Sequence, residues 1–517
     1  MRGNSSAFFH YQTNNLFMKI FTAAQIKAFD QFTMQEQHLS STALMERAAG
    51  KCFQWISKHY PSEKAILVLC GMGNNGGDGL AITRMLLQEG YSAKAVVLKH
   101  RETFSDDASH NLTQLHHIDP DAIQILNEGE FVTGIPENVL IVDAIFGTGL
   151  NRALEGWPAQ FTEEINELPN EIIAIDLPSG LPSDMIPTQH AIVIKARHTL
   201  CFQTYKRSLL HPETSKFSGE VHLLDIGLSK KFARETHSQY YTIDIETIKT
   251  IYKPRNDFGH KGTYGKALLI GGSYGKIGAI TLSTKAALRT GAGLVFTMAP
   301  SCDNIVLQSN AGEAMFINAG EDFIEHITTD IAMSAIGIGP GMGQESATEQ
   351  AFLDFIESND QPLIIDADAL NLLSKNDDHL YKLRPETILT PHPKEFERLF
   401  GAAADSMYQI EIGRAKAMKH NIYIVLKGHH TAVLTPSGEC WYNTTGNSGM
   451  ATGGSGDVLT GIITSLRAQG YSAKDAAIFG VYIHGLAGDL AAKTLSKEAL
   501  IAGDIVDHLG KAFLTLA

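Results

Sequence analysis

Twice along the chain a short apolar run breaks into a glycine-rich turn and continues as an amphipathic helix. In the first half Ala65-Ile-Leu-Val-Leu-Cys70 precedes Gly71-Met-Gly-Asn-Asn-Gly-Gly-Asp-Gly79, after which Leu80, Ile82, Met85 and Leu86 recur at helical spacing. In the second half residues 267–270 precede Gly271-Gly-Ser-Tyr-Gly-Lys-Ile-Gly-Ala279 and a helix through Leu282, Ala286, Ala287 and Leu288. An apolar run without polar alternation reads as a strand covered on both faces, and a glycine turn into a helix opens a doubly wound sheet. The class is therefore α/β with mostly parallel sheets.

The alternation continues on both sides. Strands are predicted at 95–98, 139–142, 172–175, 199–202 and 221–224, then at 294–297, 336–338, 363–366 and 423–426, with helices at 23–32 and 42–58 ahead of them. A chain of 517 residues exceeds one compact core. The expected organisation is a disordered extension at 1–17, a Rossmann-like unit at 18–228, a linker at 229–243 and a second unit at 244–517. Each unit is expected to be a three-layer α/β/α sandwich.

A net charge of −14 argues against a nucleic-acid or anionic-membrane surface. No apolar run of membrane-spanning length occurs, and residues 1–17 lack the apolar stretch of a secretory signal. Five scattered cysteines without a CxxC pair fit buried thiols in a reducing compartment, so a cytoplasmic protein is expected.

Polar groups gather where the strands of the first half should end, which is where open α/β sheets bind ligands. They are Asn74, Asn75 and Asp78 in the glycine turn, Asp143 in Asp143-Ala-Ile-Phe-Gly-Thr-Gly149, and Asp176 and Ser179 in Asp176-Leu-Pro-Ser-Gly180. Each alone is ordinary turn chemistry. Together their oxygens suit a hard cation. Gly71, Gly73 and Gly76 also satisfy the dinucleotide fingerprint G-x-G-x-x-G, but the second strand ends in Leu98-Lys99-His100 where an acidic residue should hold the adenine ribose.

In the second half the corresponding groups are Asp366-Ala-Asp-Ala-Leu-Asn371, Thr390-Pro-His-Pro-Lys-Glu395 around His392, Lys427-Gly-His-His-Thr431, and Asn447-Ser-Gly-Met-Ala-Thr-Gly-Gly-Ser-Gly-Asp-Val-Leu-Thr460. The last places four glycines before Asp457 and an apolar helix. Bare N–H groups and the helix dipole favour a phosphate there, with Asp457 placed to take a proton beside it.

The first set of motifs resembles the YjeF N-terminal family of NAD(P)H-hydrate epimerases over roughly 20–228. That resemblance implies that Asn75, Asp143 and Ser179 ligate a potassium ion. It implies that Asn74, Asn75, Gly76, Gly77 and Asp78, the loop Gly147, Thr148, Gly149, Leu150, Asn151, Arg152 and Ala153, and Asp176 hold the hydrated nicotinamide, with Asp176 as catalytic base. The chain departs from the family after Gly180, where it reads Leu181-Pro-Ser-Asp-Met-Ile-Pro187. The second set resembles the ribokinase-like YjeF C-terminal family of NAD(P)H-hydrate dehydratases over roughly 244–517. By that resemblance Ala279, Gly341, His392 and Asp457 contact the hydrate, and Asp457 is catalytic. Lys427, Gly428, His429, His430, Thr431 and Gly456 hold the nucleotide, with magnesium present.

The function implied is a bifunctional repair enzyme that interconverts the epimers of NADHX and NADPHX and dehydrates the S form. Fusion of both halves leans towards ADP as co-substrate, and a homo-oligomer is expected. A small-molecule kinase and a non-catalytic nucleotide sensor are the competing readings. Intact Asp457, Lys427 and Asp176 weigh against the sensor.

Overall fold

The computed structural model describes residues 18–150, 152–328 and 330–516. The expected extension at 1–17 and the loop residue Asn151 lie outside the described residues.

The first sheet has seven strands in the spatial order Ile123–Leu126, Ala93–Leu98, Ile66–Cys70, Leu140–Ala144, Ile172–Ile175, His198–Phe202, Glu220–Leu224, each parallel to its neighbours. Chain order reverses between Ile66–Cys70 and Leu140–Ala144, which makes the crevice beyond those two strands the natural ligand site. Ile66–Cys70 has no polar alternation because both faces are covered: Val68 and Cys70 join one apolar cluster, Leu69 the other. Helix Ser41–His59 packs on the first face through Ala49, Cys52 and Ile56, while Leu44 and Ala48 join Phe21 and Phe29, and Ser40 caps it by accepting from Ala43 N at 3.1 Å.

The second sheet has eleven strands and is mixed. Its parallel centre runs Tyr423–Leu426, Ile388–Leu389, Leu363–Ile365, Ala335–Ile338, Lys266–Ile270, Leu294–Ala299, Met315–Asn318. Beyond Tyr423–Leu426 follow Ala432–Leu434 and Cys440–Asn443, both antiparallel pairings. Chain order reverses between Lys266–Ile270 and Ala335–Ile338, so the second crevice opens there. Helix Ser455–Ala468 is buried along almost its whole length, and Val458, Leu459, Ile462, Ile463 and Leu466 each contribute about 1.5–3 kcal/mol by burial. It lies close against helix Ile277–Thr290, with Ser283 Oγ donating to Asp457 O at 2.8 Å.

Residues 229–243 do not form the simple linker expected. They contain helix Lys230–Glu235, whose Phe232 stacks on Phe29 at 4.7 Å, and strand Tyr240–Ile243. That strand pairs with Cys440–Asn443 and with Lys19–Ile20, so the start of the described chain also extends the second sheet. The units meet directly as well. Arg207 pairs with Glu411 at 2.8 Å, and buried His211 contacts Ser406 Oγ at 2.7 Å and Tyr442 OH at 3.2 Å. Cys302 is exposed, against the expectation of buried thiols; Cys52, Cys70, Cys201 and Cys440 are buried. No helix among the described residues is long and apolar enough to cross a membrane.

Candidate active sites

The first site is a cavity of about 1320 Å³ at the first reversal point. Helix Asn74–Gln88 begins directly in the glycine turn, so Asn74, Asn75 and Asp78 reach the cavity while Gly76 and Gly77 are buried against their surroundings. Gly76 has no substitute: a Cβ there would stand 1.8 Å from the carbonyl oxygen of Gly71. Gly147, Thr148, Gly149, Leu150, Arg152 and Ala153 line the same cavity.

Asp143 and Ser179 sit behind its wall. Ser179 N donates to Asp143 Oδ2 at 2.7 Å, Ser179 Oγ to Oδ1 at 2.6 Å, and Ile145 N to Oδ1 at 3.2 Å. Burial nevertheless lifts the Asp143 carboxyl to about 6. A Cβ on Gly147 would stand 3.1 Å from Asn75 Oδ1, so the amide lies against that loop, and its buried Nδ2 has no hydrogen-bond partner. The Asn75 amide, the Asp143 carboxyl and the Ser179 hydroxyl each carry an oxygen of the kind a hard cation takes.

Asp176 faces the cavity with φ of 64°, a left-handed conformation that costs energy and tends to mark functional positions. Its carboxylate accepts from the ammonium of Lys206 and from Phe202 N at 3.2 Å. Lys206 is 1% exposed. Burial alone would lower its pKa, but the Asp176 carboxylate outweighs that and raises it. Asp30, from helix Ala23–Gln37, also lines the cavity, its carboxyl raised to about 6 by burial and by Asp176. Burial and the neighbouring carboxylates push Asp78 well up. Lys206 and Asp30 were not singled out in the sequence: neither stands in a glycine or turn motif. The only signal for Lys206 is a cation just past the end of a predicted strand.

The divergent segment 181–187 lines the same cavity through Pro182, Ser183, Asp184 and Met185. Asp184 accepts from Ala23 N at 2.9 Å, so the altered loop closes onto the first helix.

The second site forms where five motifs converge. Helix Ser455–Ala468 starts at Gly454, whose φ of 92° and 2.5 Å approach to Leu282 for any Cβ exclude a side chain. Lys427 Nζ donates to Asp366 Oδ1 at 2.7 Å and lies 3.8 Å from Glu395, and a Cβ on Gly456 would stand 3.2 Å from it. Thr460 Oγ1 donates to the other Asp366 oxygen at 2.7 Å. Burial would depress Lys427, yet the Asp366 and Glu395 carboxylates raise it. Asp457, in the first turn of the helix, has its carboxyl raised to about 7 by burial and by Asp366. Ordinarily a first-turn aspartate is ionised to suit the dipole. Here burial among other acids wins.

His392 caps helix Pro393–Phe400. Its Nδ1 accepts from Lys394 N at 3.1 Å and Glu395 N at 3.3 Å, which leaves the proton on Nε2. Glu395 answers by accepting from His392 N at 2.8 Å, which ties the histidine to Lys427 through one carboxylate. Across the cleft, a Cβ on Gly341 would lie 3.1 Å from Ala279 Cβ, so these two are brought together. Gly428 and His429 are exposed, and Thr431 Oγ1 accepts from Gly428 N at 3.3 Å. His430 instead turns inward, Nδ1 being 3.1 Å from Asn443 O. Asp366, Glu395 and Thr460 lie within motifs visible in the sequence, but their contacts with Lys427 were not.

Residues 41–208 match the family described as YjeF-related protein N-terminus, and residues 267–510 the one described as NAD(P)H-hydrate dehydratase. A bifunctional NAD(P)H-hydrate repair enzyme from Moorella thermoacetica is 35% identical over 509 residues, 95% of this chain and 96% of the relative. The enzyme of that name from Escherichia coli is 35% identical over 475 residues, 90% and 88% of the two. An ADP/ATP-dependent NAD(P)H-hydrate dehydratase from Bacillus subtilis, co-crystallised with ATP and magnesium, is 30% identical. It covers 53% of this chain and 98% of its own, with a TM-score of 0.47.

Proposed function

The chain belongs to the bifunctional NAD(P)H-hydrate repair enzymes, an epimerase unit fused to a ribokinase-like dehydratase unit, and we propose the following roles for its residues. The observation that carries the assignment is Asp457. It is a carboxyl raised to about 7 at the mouth of a glycine-entered helix, beside a half-buried lysine.

In the dehydratase site the N–H groups around Gly456, the helix dipole and Lys427 receive the phosphates of ADP, with Gly428, His429, His430 and Thr431 along the nucleotide. Ala279, Gly341 and His392 seat the hydrated ring. Asp457 accepts the ring hydroxyl's proton as that oxygen takes the phosphoryl group. Phosphate then leaves where water would not, the adjacent ring carbon gives up a proton, and the ring returns to the dihydronicotinamide. Asp366, Asp368 and Glu395 offer carboxylate oxygens of the kind magnesium takes, and the ion when bound would neutralise phosphate charge.

In the epimerase site Asp176 and Lys206 form the acid–base pair. The hydrated carbon bears both a hydroxyl and the ring nitrogen. Taking the hydroxyl proton lets the carbon–nitrogen bond open to an aldehyde, and reclosure on the other face inverts the centre. One base and one proton donor suffice. Asn74, Asp78 and the loop at 147–153 hold the substrate. Asn75, Asp143 and Ser179 hold potassium, which when bound lends positive charge beside the substrate. ADP in preference to ATP, action on both NADHX and NADPHX, a cytoplasmic location and a homo-oligomer complete the reading.

The test mixes the protein with both epimers of hydrated NADH and ADP or ATP, and follows absorbance of the reduced nicotinamide. Full recovery with ADP is expected. Recovery of half the hydrate would remove the epimerase assignment, and a stable phosphorylated product without recovery would leave a kinase.

A further inference from the structure

A cluster that neither reaction uses lies at the far edge of the seven-stranded sheet. His198 opens strand His198–Phe202, and Glu220 and His222 lie on the edge strand Glu220–Leu224. The parallel register sets His198 opposite Glu220, so alternation brings His198, Glu220 and His222 to one face. Helix Ser41–His59 covers that face, with the Trp55 ring 5.3 Å from His198 and 4.8 Å from His222. His198 begins its strand, whereas Asp176 follows the end of the neighbouring strand Ile172–Ile175. The cluster is thus at the opposite end of the sheet from the epimerase cavity.

Its geometry matches a metal's. His198 Nδ1 lies 3.0 Å from His222 Nε2 and 3.8 Å from a Glu220 oxygen, and one ligand atom from each residue lies within 4.8 Å of the other two. Ligands bound at zinc's usual bond lengths stand about 3.3 Å apart across a tetrahedral angle. The two measured separations bracket that figure, and Glu220 is exposed enough to swing inward. On the far side of the His198 ring, Glu171 Oε1 lies 3.8 Å from Nε2 and is itself held by Tyr60 OH at 2.8 Å and Arg197 at 3.4 Å. A carboxylate on the side of one ring nitrogen favours the proton there, the tautomer that leaves the other nitrogen's lone pair for a metal.

We propose that His198, His222 and Glu220 bind a divalent transition-metal ion, with zinc the best fit and water completing the tetrahedron. Two imidazoles and one carboxylate favour zinc over the hard magnesium that suits the dehydratase site. At this position the ion is a staple: it joins the edge strand to its neighbour at the end of a sheet whose outer edge is unpaired.

The experiment uses the full chain stripped with a chelator and titrated with cobalt(II), then zinc, reading cobalt's visible absorption, calorimetric stoichiometry and the melting temperature. Tetrahedral cobalt bands that zinc displaces, saturation at one equivalent, and a melting temperature raised by several degrees are expected. His222→Gln should abolish the bands. Glu220→Gln, at an exposed position that tolerates the change, should weaken binding at least tenfold, and Glu171→Gln should weaken it by about 10–100-fold through the His198 orientation alone. Epimerase activity should be unchanged in all three. A full cobalt spectrum in His222→Gln, or no bands in the unaltered protein at micromolar metal, would overturn the proposal.

Discussion

Replacing Asp457 by asparagine should inactivate the dehydratase and at the same time stabilise the protein that carries the change. Burial and the neighbouring Asp366 raise the Asp457 carboxyl from 3.8 to about 7. At about 1.4 kcal/mol per unit, the ionised form is disfavoured in the native state by up to about 4 kcal/mol. The direction follows from linkage. Below pH 3.8 the carboxyl is protonated in folded and unfolded chains alike, and nothing is lost. Between 3.8 and about 7 the unfolded chain ionises first and stability falls; above 7 the full penalty applies. Asparagine never carries it.

An effective dielectric well above that of dry protein cuts the realised gain to about 1–3 kcal/mol. In a unit of this size that moves the melting temperature by about 2–4 °C per kcal/mol. The assay is thermal unfolding of both proteins with chelator and without nucleotide, at pH 5 and pH 8. The asparagine variant should melt higher at pH 8 and show a much smaller advantage at pH 5. Its dehydration rate should fall by about 10²–10⁴, the range a general base supplies. An advantage equal at both pH values, or absent at pH 8, would refute the electrostatic account. Near-normal dehydration would refute the catalytic one.

Two other perturbations test the remaining geometry. Lys206→Met leaves Asp176 buried without its cation and should cost about 3–5 kcal/mol in urea unfolding, while the double variant with Asp176→Asn should cost less; each should stop epimerisation and spare dehydration of the S epimer. Burial holds His211 at about 4, below its ordinary 6.5, so the stability it supports is intact above pH 6.5 and is lost as pH falls towards 4. Limited proteolysis should therefore cut the seam between the units at pH 5 faster than at pH 7.5, and His211→Gln should flatten that difference.

The central strands were legible because a strand covered on both faces leaves an unbroken apolar run, as Ile172–Ile175 and Ile66–Cys70 do. Two of the edge strands leave no such trace, although Glu220–Leu224, also at an edge, was predicted at 221–224. Ile123–Leu126 exposes Gln124 and Ile125, and Met315–Asn318 exposes both its ends, so neither was predicted. Cys440–Asn443 was missed for another reason: its buried Trp441 and Tyr442 sit in a run too short to separate from a loop. In the sites, glycine turns announce themselves because their backbone geometry restricts the residue type. Lys206 and Asp30 do not, since what sets them apart is burial beside Asp176, brought about by elements distant in sequence.

That same distinction changes how the two units relate. A linker at 229–243 suggested independent domains, and the segment's composition gave no reason to think otherwise. Its strand Tyr240–Ile243 is instead sealed inside the second sheet between Cys440–Asn443 and Lys19–Ile20, while its helix packs on the first unit. Lys206, partner of Asp176 in the epimerase cavity, is followed immediately by Arg207, which lies over the Tyr240 ring at 3.9 Å and pairs with Glu411 of the dehydratase unit. Four residues on, His211 reaches Tyr442, next to the Asn443 whose carbonyl holds His430 of the nucleotide loop. A seam of polar contacts thus runs from the first cavity towards the second site. Contact alone is not allosteric coupling, which requires a second arrangement that one ligand favours over the other. What the seam does is join the two units through side-chain and strand contacts, so the linker segment belongs to both.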